Sequence, residues 1–274
     1  MTRSLILADV DGTLVDAAGH LWHETYGIIS AAEASRATVA LCSARPAWSV
    51  RLLADRLGTG VHYAVSFQGA MVSSRMAFSG IESPDHWKTV QRCDLDLAVA
   101  PSIQTLIRPE DSLWYYTETD WRIRSVNDAA ELEAKVIGAT WTSVGLSGND
   151  DPLLKILIVR AEQPEVLLVE LMSASLPITC SISQPGYIEV VSDTVDGDKG
   201  ASVLRELERC CGSLPHTVAI GDGRNDLGML AAADIAITFE DAASDVREAA
   251  DLILPADRPS ALRELSKLIL EDSL

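Results

Sequence analysis

Two aspartates stand two residues apart at the point where a buried strand should end. The run LILADVDGTLVD, residues 5–16, passes from apolar side chains to Asp9 and Asp11 and then to a Gly-Thr turn. Ionised carboxylates this close destabilise each other unless one takes a proton or a cation lies near them. The pair therefore predicts a bound cation, acid–base chemistry, or both.

Three further polar stretches follow candidate strands or begin candidate helices. They are Ser43-Ala44-Arg45, Asp198-Lys199-Gly200 and the run GDGRND at residues 221–226. In open parallel sheets, ligands bind outside the carboxyl ends of the strands. If the strands before these stretches are parallel neighbours, all of them converge with Asp9 and Asp11 on one crevice.

The charges in such a crevice favour a divalent cation together with a phosphate. Four carboxylates would crowd together there, those of Asp9, Asp11, Asp222 and Asp226. Mg²⁺ is typically held by one or two carboxylates, waters and substrate phosphate. The Lys199 ammonium is a compact positive charge suited to phosphate, and Gly12 and Gly223 let backbone N–H groups approach an anion closely. The residues thus predict a magnesium-dependent phosphate site.

The elements around these stretches alternate between strand and helix. Strand-like runs such as SLILADV and TVALCSA are followed by segments that predict helices, at residues 22–37 and 47–57. The alternation resumes at Lys199, where residues 199–211 predict a helix, and continues to the final helix at 260–271. This pattern predicts an α/β fold with a parallel sheet and helices on both faces.

Residues 83–193 break the alternation. They contain an aromatic strand-like run, LWYYTETDWRIRSV, a second run, KILIVR, and two runs joined by Pro185-Gly186 in ITCSISQPGYIEVVS. The Pro-Gly pair favours a hairpin at that place. We expect an inserted α+β domain at 83–193, and an α/β domain built from residues 1–82 and 194–274.

Taken together, the four stretches resemble the motifs of the haloacid dehalogenase-like (HAD) hydrolases. The matching residues are DVDGTL, a serine before a small residue and an arginine, DKG, and GDGRND. The run SFQGAMV, the position of the insert and the approach IEVVS before DKG resemble the Cof-type, type IIB branch. This resemblance spans nearly the whole chain and implies a Rossmann-like parallel-sheet core with an inserted α+β cap. It also implies a Mg²⁺-dependent phosphatase for small phosphorylated metabolites, such as sugar phosphates or phosphorylated cofactors.

The resemblance implies a role for each motif residue. Asp9 would be the nucleophile that forms an aspartyl-phosphate, and Asp11 the general acid and then the base that activates water. The phosphate would be bound by the side chains of Ser43, Lys199 and Asn225 and the backbone amides of Val10 and Ala44. Mg²⁺ would be bound by Asp9, the backbone carbonyl of Asp11, and Asp222. Asp226 would orient Lys199 or a metal-bound water, and Arg45 would support these groups.

The insert is expected to close over the site as a cap and to set substrate choice. Candidate residues for substrate contact are Trp114, Tyr116, Arg122, Arg124 and Glu189. The alternative, that the aromatic side chains pack the cap and the arginines face solvent, stays open. Two positions depart from the family pattern: Ala44 stands where glycine is frequent, and Gln68 stands where this branch often has asparagine. The longer Gln68 amide is a further candidate for substrate contact.

Composition excludes several classes of function. The 274 residues carry a formal net charge of -18, with no Lys/Arg cluster, which argues against nucleic acid and anionic membranes as partners. No apolar stretch reaches the roughly 18 residues of a membrane span, and the N-terminus lacks the features of a signal peptide. We expect a cytoplasmic protein with reduced thiols at its five cysteines; its oligomeric state stays open.

Two other functions remain as alternatives. Phosphomutases of the phosphomannomutase type share the DxDGT opening, but turning a bisphosphate round requires a second, arginine-rich phosphate site in the cap, where arginines are sparse. A non-catalytic phosphate-binding protein on the same fold is disfavoured because all four motifs are intact.

Overall fold

Two β-sheets organise the chain in the computed structural model, which describes residues 4–75, 87–145, 152–195, 199–211 and 215–271. The strands of the larger sheet are β1 (Leu5–Asp9), β2 (Thr38–Cys42), β3 (Val61–Ser66), β4 (Met71–Ser74), β5 (Lys88–Arg92), β12 (Thr217–Ile220), β13 (Ile235–Phe239) and β14 (Leu252–Leu254). The helices around it are α1 (Thr25–Ala34), α2 (Ala47–Leu57), α6 (Lys199–Cys211), α7 (Leu227–Ala231), α8 (Ser244–Glu248) and α9 (Arg258–Leu270).

The larger sheet is mostly parallel. Its order is β14-β13-β12-β1-β2-β3-β4-β5; the first six strands are parallel, and β4 and β5 run antiparallel at one edge. Leu5 and Leu7 of β1 pack into the hydrophobic cluster on one face, and Ile6 and Ala8 into that on the other. A strand covered on both faces reads as a continuous apolar run, and the α/β fold predicted from such runs is confirmed.

The smaller sheet is mostly antiparallel. Its strands are β6 (Ser112–Tyr116), β7 (Trp121–Ile123), β8 (Ser143–Val144), β9 (Lys155–Val159), β10 (Ile178–Gln184) and β11 (Tyr187–Ser192), in the order β10-β11-β9-β6-β7-β8. Its helices are α3 (Val99–Leu106), α4 (Asp128–Ile137) and α5 (Pro164–Ser173). The predicted hairpin is present: β10 and β11 are joined by Pro185 and Gly186, and Gly186 has a φ of 84°.

One strand lies in the larger sheet although the sequence placed it in the insert. β5 falls within the range 83–193 but pairs antiparallel with β4. Its sequence, KTVQR, is polar and half-exposed at the sheet edge, so it carries no apolar signal of either domain. The predicted boundary between residues 82 and 83 lies outside the described residues. The division into core and cap stays a proposal, and the cap named below comprises the described residues between 93 and 193, whose strands form the smaller sheet.

The cap sheet packs one face against the core. Trp114, Tyr116 and Trp121 share a buried cluster with Phe67 and Met71 of the core. The rings of Tyr116 and Trp121 are stacked, with centroids 5.8 Å apart. This aromatic cluster fixes the cap sheet over the carboxyl ends of the core strands. Within the part of the chain described here, no helix has both the length and the apolar character needed to traverse a bilayer.

Candidate active site

Three neighbouring strands bring the motif residues together. Asp9 is the last residue of β1 and lies beside Cys42, the last residue of β2. Ser43 follows β2 directly, and Asp222 follows the end of β12, which pairs with β1 on its other side. The convergence predicted from strand order is therefore what the parallel pairing produces.

Lys199 ties two of the carboxylates together. It is the first residue of α6 and is buried, and its Nζ donates to Asp9 Oδ1 at 2.7 Å and to Asp226 Oδ1 at 2.8 Å. Burial alone would lower the pKa of Lys199, but the charges of Asp226 and Asp9 outweigh it and hold that pKa well above its usual value. Lys199 is thus a permanent cation at the nucleophile position. Asp198, the first residue of the same motif, lies outside the described residues.

Lys199 compensates the negative charge of Asp9 only in part. Its burial, followed by the charge of Asp226, raises the pKa of Asp9 well above the usual range, and Lys199 offsets only part of that effect. Burial and the charge of Asp226 also raise the pKa of Asp222, to about 6. A further cation close to these two carboxylates would stabilise their ionised forms.

The residues present fit a divalent metal ion. Oxygen atoms of Asp9, Asp222 and Asp226 all lie within 4.8 Å of one another. Asp226 Oδ1 is occupied by Lys199, and its Oδ2 accepts a hydrogen bond from the Gly223 amide at 2.9 Å. Asp9 and Asp222 are therefore the better-placed ligands, and an all-oxygen acidic set suits Mg²⁺.

Gly12 keeps the loop after β1 close to this metal site. It has a φ of 82°, and a Cβ at this position would collide with the Asp222 carboxylate. The next residue, Thr13, donates to Asp222 Oδ1 at 3.2 Å. Only a residue without a side chain allows the loop and the carboxylate to approach this closely.

Asp11 has a cation of its own. The Arg45 guanidinium binds it in a fork, with Nη2 2.6 Å from Oδ1 and Nε 2.9 Å from Oδ2. Arg45 is buried, whereas the Asp11 side chain is 50% exposed to the space above the sheet. Ser43 Oγ lies 3.5 Å from Asp11 Oδ2 and accepts the Arg45 amide at 3.1 Å. The repulsion between Asp9 and Asp11 is thus offset by two separate cations, Lys199 and Arg45.

A cavity of about 670 Å³ lies between the core and the cap. Its core wall includes Asp9, Asp11, Ala44, Arg45, Lys199, Asp222 and Asn225. Its cap wall includes Leu132, Glu133, Val136, Ile137, Lys155, Leu157, Ser183, Gln184, Pro185, Tyr187 and Glu189. Pockets for small molecules typically measure about 300–1,000 Å³, so the space suits a metabolite.

Several of the remaining candidates lie away from the cavity wall. Trp114 and Tyr116 belong to the aromatic cluster between the sheets. Arg122 is buried in β7 opposite Tyr115, and Arg124 donates to the backbone carbonyls of Arg108 and Pro109. The two aromatic side chains thus fit the alternative that they pack the cap, whereas buried Arg122 neither lines the cavity nor faces solvent, as that alternative expected.

The other predicted residues lie at or behind the wall. Glu189 lines the cavity. Val10 and Ser43 are buried directly behind the wall, next to Asp9 and Ala44. Gln68 is also buried, and its backbone is left-handed with a φ of 57°. Its backbone N–H donates to the Ser43 carbonyl at 3.2 Å. Gln68 therefore supports the Ser43 loop through its backbone.

Sequence reasoning missed two ionisable groups of the cap wall. Lys155 Nζ donates to the Ala44 carbonyl at 2.9 Å and lies 2.8 Å from Glu189 Oε2. Glu133 lies on α4, and burial raises its pKa to about 7, with Lys155 opposing and Glu189 reinforcing that shift. α4 has detectable end signals, an Asn127 side chain that caps its first turn and the left-handed Gly138 at its end.

Known proteins resemble this chain at the level of family and fold. The family model described as haloacid dehalogenase-like hydrolase matches residues 6–262. The search of curated proteins gave no match.

Among solved structures, three similar ones cover nearly the whole chain. A haloacid dehalogenase-like hydrolase from Bacteroides thetaiotaomicron is 23% identical, with a TM-score of 0.77 over 97% of this chain and 99% of that one. A phosphatase of the same superfamily and organism is 16% identical, with a TM-score of 0.74 over 98% and 96%. A sugar phosphatase of HAD subclass IIB is 18% identical, with a TM-score of 0.76 over 98% and 100%. At these identities the likeness establishes the fold.

Proposed function

Because this chain belongs to the haloacid dehalogenase-like hydrolase family, we propose that it is a Mg²⁺-dependent phosphatase for small phosphorylated metabolites in the cytoplasm. The observation that carries the proposal is the pairing of two aspartates with two different cations. Buried Asp9 is held by Lys199, and half-exposed Asp11 is held by Arg45. This difference supports Asp9 as a fixed nucleophile and Asp11 as the group that exchanges a proton with substrate.

In the first step, an oxygen of Asp9 attacks the phosphorus atom of the substrate. A bond forms between Asp9 and phosphorus, and the bond from phosphorus to the leaving oxygen breaks. Asp11 gives its proton to that oxygen, and Arg45 stabilises the carboxylate that remains. Lys199, Ser43 and backbone amides hold the other phosphoryl oxygens, since phosphoryl transfer depends chiefly on positioning and charge neutralisation.

In the second step, water attacks the aspartyl-phosphate. Asp11 takes a proton from the water, the bond between Asp9 and phosphorus breaks, and inorganic phosphate is released. Asp9, the Asp11 backbone carbonyl and Asp222 would hold the Mg²⁺, which neutralises phosphoryl charge when bound. Asp226 keeps Lys199 in place during both steps, and Asn225 lines the same cavity beside the phosphate position.

The cap excludes bulk water from these steps. At the cavity, one hydrogen bond from each side joins core and cap: Lys155 donates to the Ala44 carbonyl, and Arg45 Nη1 donates to the Val136 carbonyl at 3.2 Å. Both contacts lie beside the phosphate-binding loop. A cap seated in this way favours transfer to the enclosed water over side reactions.

Phosphate release from a panel of phosphorylated metabolites tests the proposal. We expect turnover by the wild type with Mg²⁺, none with EDTA, and none by Asp9→Asn under either condition. Asp94→Asn is the matched control, because Asp94 is an exposed partner of Arg92 outside the cavity. Full activity of Asp9→Asn, or of the wild type in EDTA, would contradict the proposal.

A further inference from the structure

The wall of the cavity carries an excess of acid. Six carboxyl groups line it, those of Asp9, Asp11, Asp16, Glu133, Glu189 and Asp222. Three cationic side chains line it, those of Arg45, Lys155 and Lys199. In the proposed reaction the phosphoryl group and its metal ion would lie on the core side, so the charges of the cap side would decide what else a substrate can carry.

Each cation in this wall already has an anionic partner. Arg45 is held by Asp11, and Lys199 by Asp9 and Asp226. Lys155 is held by Glu189 and also donates to the Ala44 carbonyl. Among the described residues of the cap side of the wall, Lys155 is the one cation, and because Glu189 neutralises it, that side has no unpaired cation for a second phosphate or a carboxylate of the substrate.

The two acids of the cap wall, Glu189 and Glu133, differ in whether other side chains already bind their carboxylate oxygens. Each oxygen of Glu189 has a partner: Oε2 forms an ion pair with Lys155 Nζ at 2.8 Å, and Oε1 accepts a hydrogen bond from the Ser183 hydroxyl at 2.8 Å. None of the described residues donates a hydrogen bond to Glu133, although it is partly buried in the cavity wall. A carboxyl group in that position is a hydrogen-bond acceptor without a donor, and an enclosed acceptor gains from one.

From this arrangement we infer that Glu133 selects the leaving group of the substrate. It accepts a hydrogen bond from a hydroxyl or ammonium group and repels a second anionic group. This inference rests on the proposed phosphatase function and narrows it to phosphate monoesters of polyols or amino-polyols without a second anion. The same charges give no support to the phosphomutase alternative, which needs a second phosphate site in the cap.

A matched panel of six-carbon substrates tests the inference. The probes are glucose 6-phosphate, with hydroxyls only; glucosamine 6-phosphate, with an ammonium group; and 6-phosphogluconate, with a carboxylate. p-Nitrophenyl phosphate, whose leaving group offers no hydrogen-bond donor, reports on the core chemistry alone. The variants are Glu133→Gln and Glu133→Lys, and the control is Glu131→Gln, an exposed residue of the same helix.

For the wild type we expect kcat/KM to be highest with the hydroxyl and ammonium substrates and lowest with 6-phosphogluconate. In Glu133→Gln the preference for glucosamine 6-phosphate over 6-phosphogluconate should shrink by about tenfold to a hundredfold, the range for a charged hydrogen-bond partner. Glu133→Lys should favour 6-phosphogluconate. The rate of each variant with p-nitrophenyl phosphate serves as the reference by which its rates with the three sugar substrates are divided, and Glu131→Gln should match the wild type throughout.

Unchanged substrate ratios in both Glu133 variants would overturn the inference, as would turnover of p-nitrophenyl phosphate with neither of the donor-bearing sugars. In both cases the phosphatase proposal would stand, because hydrolysis of p-nitrophenyl phosphate reports it separately. Absence of Mg²⁺-dependent hydrolysis of all four probes by the folded wild type would instead overturn the phosphatase proposal, and the inference with it.

Discussion

Arg45 joins the proposed acid–base residue to the cap. One edge of its guanidinium holds both carboxylate oxygens of Asp11, with an Nη2–Oδ1 distance of 2.6 Å, and its Nη1 reaches the Val136 carbonyl on α4. The orientation of Asp11 is therefore coupled to the position of the cap. Movement of the cap away from the core would break the hydrogen bond from Arg45 to the Val136 carbonyl.

Arg45→Lys should impair proton transfer more than phosphate binding. A lysine offers no planar fork, so it cannot hold both Asp11 oxygens and reach Val136 as well. We expect kcat/KM for a sugar phosphate to fall about tenfold to a hundredfold, a part of the roughly 10²–10⁴-fold that general acid–base catalysis contributes. The loss with p-nitrophenyl phosphate should be smaller, because p-nitrophenolate leaves without a proton. Steady-state kinetics with both substrates measures the difference.

Arg263→Lys is the control for this substitution, since Arg263 forms an exposed ion pair on α9. Equal losses with the two substrates would show that Arg45 acts only in packing.

Gly12→Ala should damage the metal site beyond its cost in backbone strain. The added Cβ would collide with the Asp222 carboxylate, whereas Gly58, at a φ of 97°, has nothing within 4 Å of the same added atom. Gly58→Ala therefore isolates the conformational cost, which is of order 1 kcal/mol or more for a left-handed position. We expect Gly12→Ala to raise the Mg²⁺ concentration needed for half-maximal activity. Equal Mg²⁺ requirements in the two variants would contradict this account of Gly12.

Glu133→Gln should stabilise the protein at alkaline pH and not at acidic pH. The pKa of Glu133 is raised to about 7, from an ordinary value of 4.5 in the unfolded chain. The folded state therefore favours the protonated form, and stability falls as pH rises from about 4.5 through 7. Glutamine stays neutral and escapes that loss. Thermal unfolding at pH 5 and pH 8 should show a gain in Tm for the variant that grows with pH.

Glu131→Gln, on the exposed side of the same helix, should show no such dependence on pH. A Tm difference between Glu133→Gln and wild type that is the same at both values of pH would refute the burial of charge at Glu133.

Lys199→Met should destabilise the metal-free protein strongly. It leaves Asp9 and Asp226 buried without their shared cation, and breaking a buried ion pair on one side typically costs about 3–5 kcal/mol. Urea unfolding in EDTA measures the loss, and added Mg²⁺ should restore part of it by supplying charge near Asp9. Lys267→Met, an exposed change on α9, serves as the control. A stability equal to that of the control would show that Lys199 does not hold the acidic cluster together.

The core was predictable because its signals are local. Helices α2 and α6 have the predicted bounds, and the strand ends place Asp9, Ser43 and Asp222 where parallel pairing brings them together. Helix α1 is shorter than the predicted 22–37, since Trp22 belongs to the loop before it. Apolar periodicity and strand order are properties of short segments, so one sequence suffices to read them.

The cap wall was not predictable because it depends on how two sheets dock. Trp114 and Tyr116 were candidates for substrate contact, but their strand face packs against Phe67. Nothing in the sequence DAAELEAKVI of α4 indicates that Glu133 turns toward Asp11 while Glu131 faces solvent. The Arg45–Asp11 fork likewise joins residues 34 apart and follows from the docking of two loops.

Chemical trapping of the covalent intermediate tests the central claim most directly. Wild-type enzyme with Mg²⁺ is mixed with a substrate that it turns over, quenched in acid, and treated with borohydride, which reduces an acyl phosphate to an alcohol. The account predicts homoserine at position 9 in the peptide map, with Asp11, Asp222 and Asp226 unchanged. Product formation with Asp9 unmodified, or reduction at a different carboxylate, would contradict it.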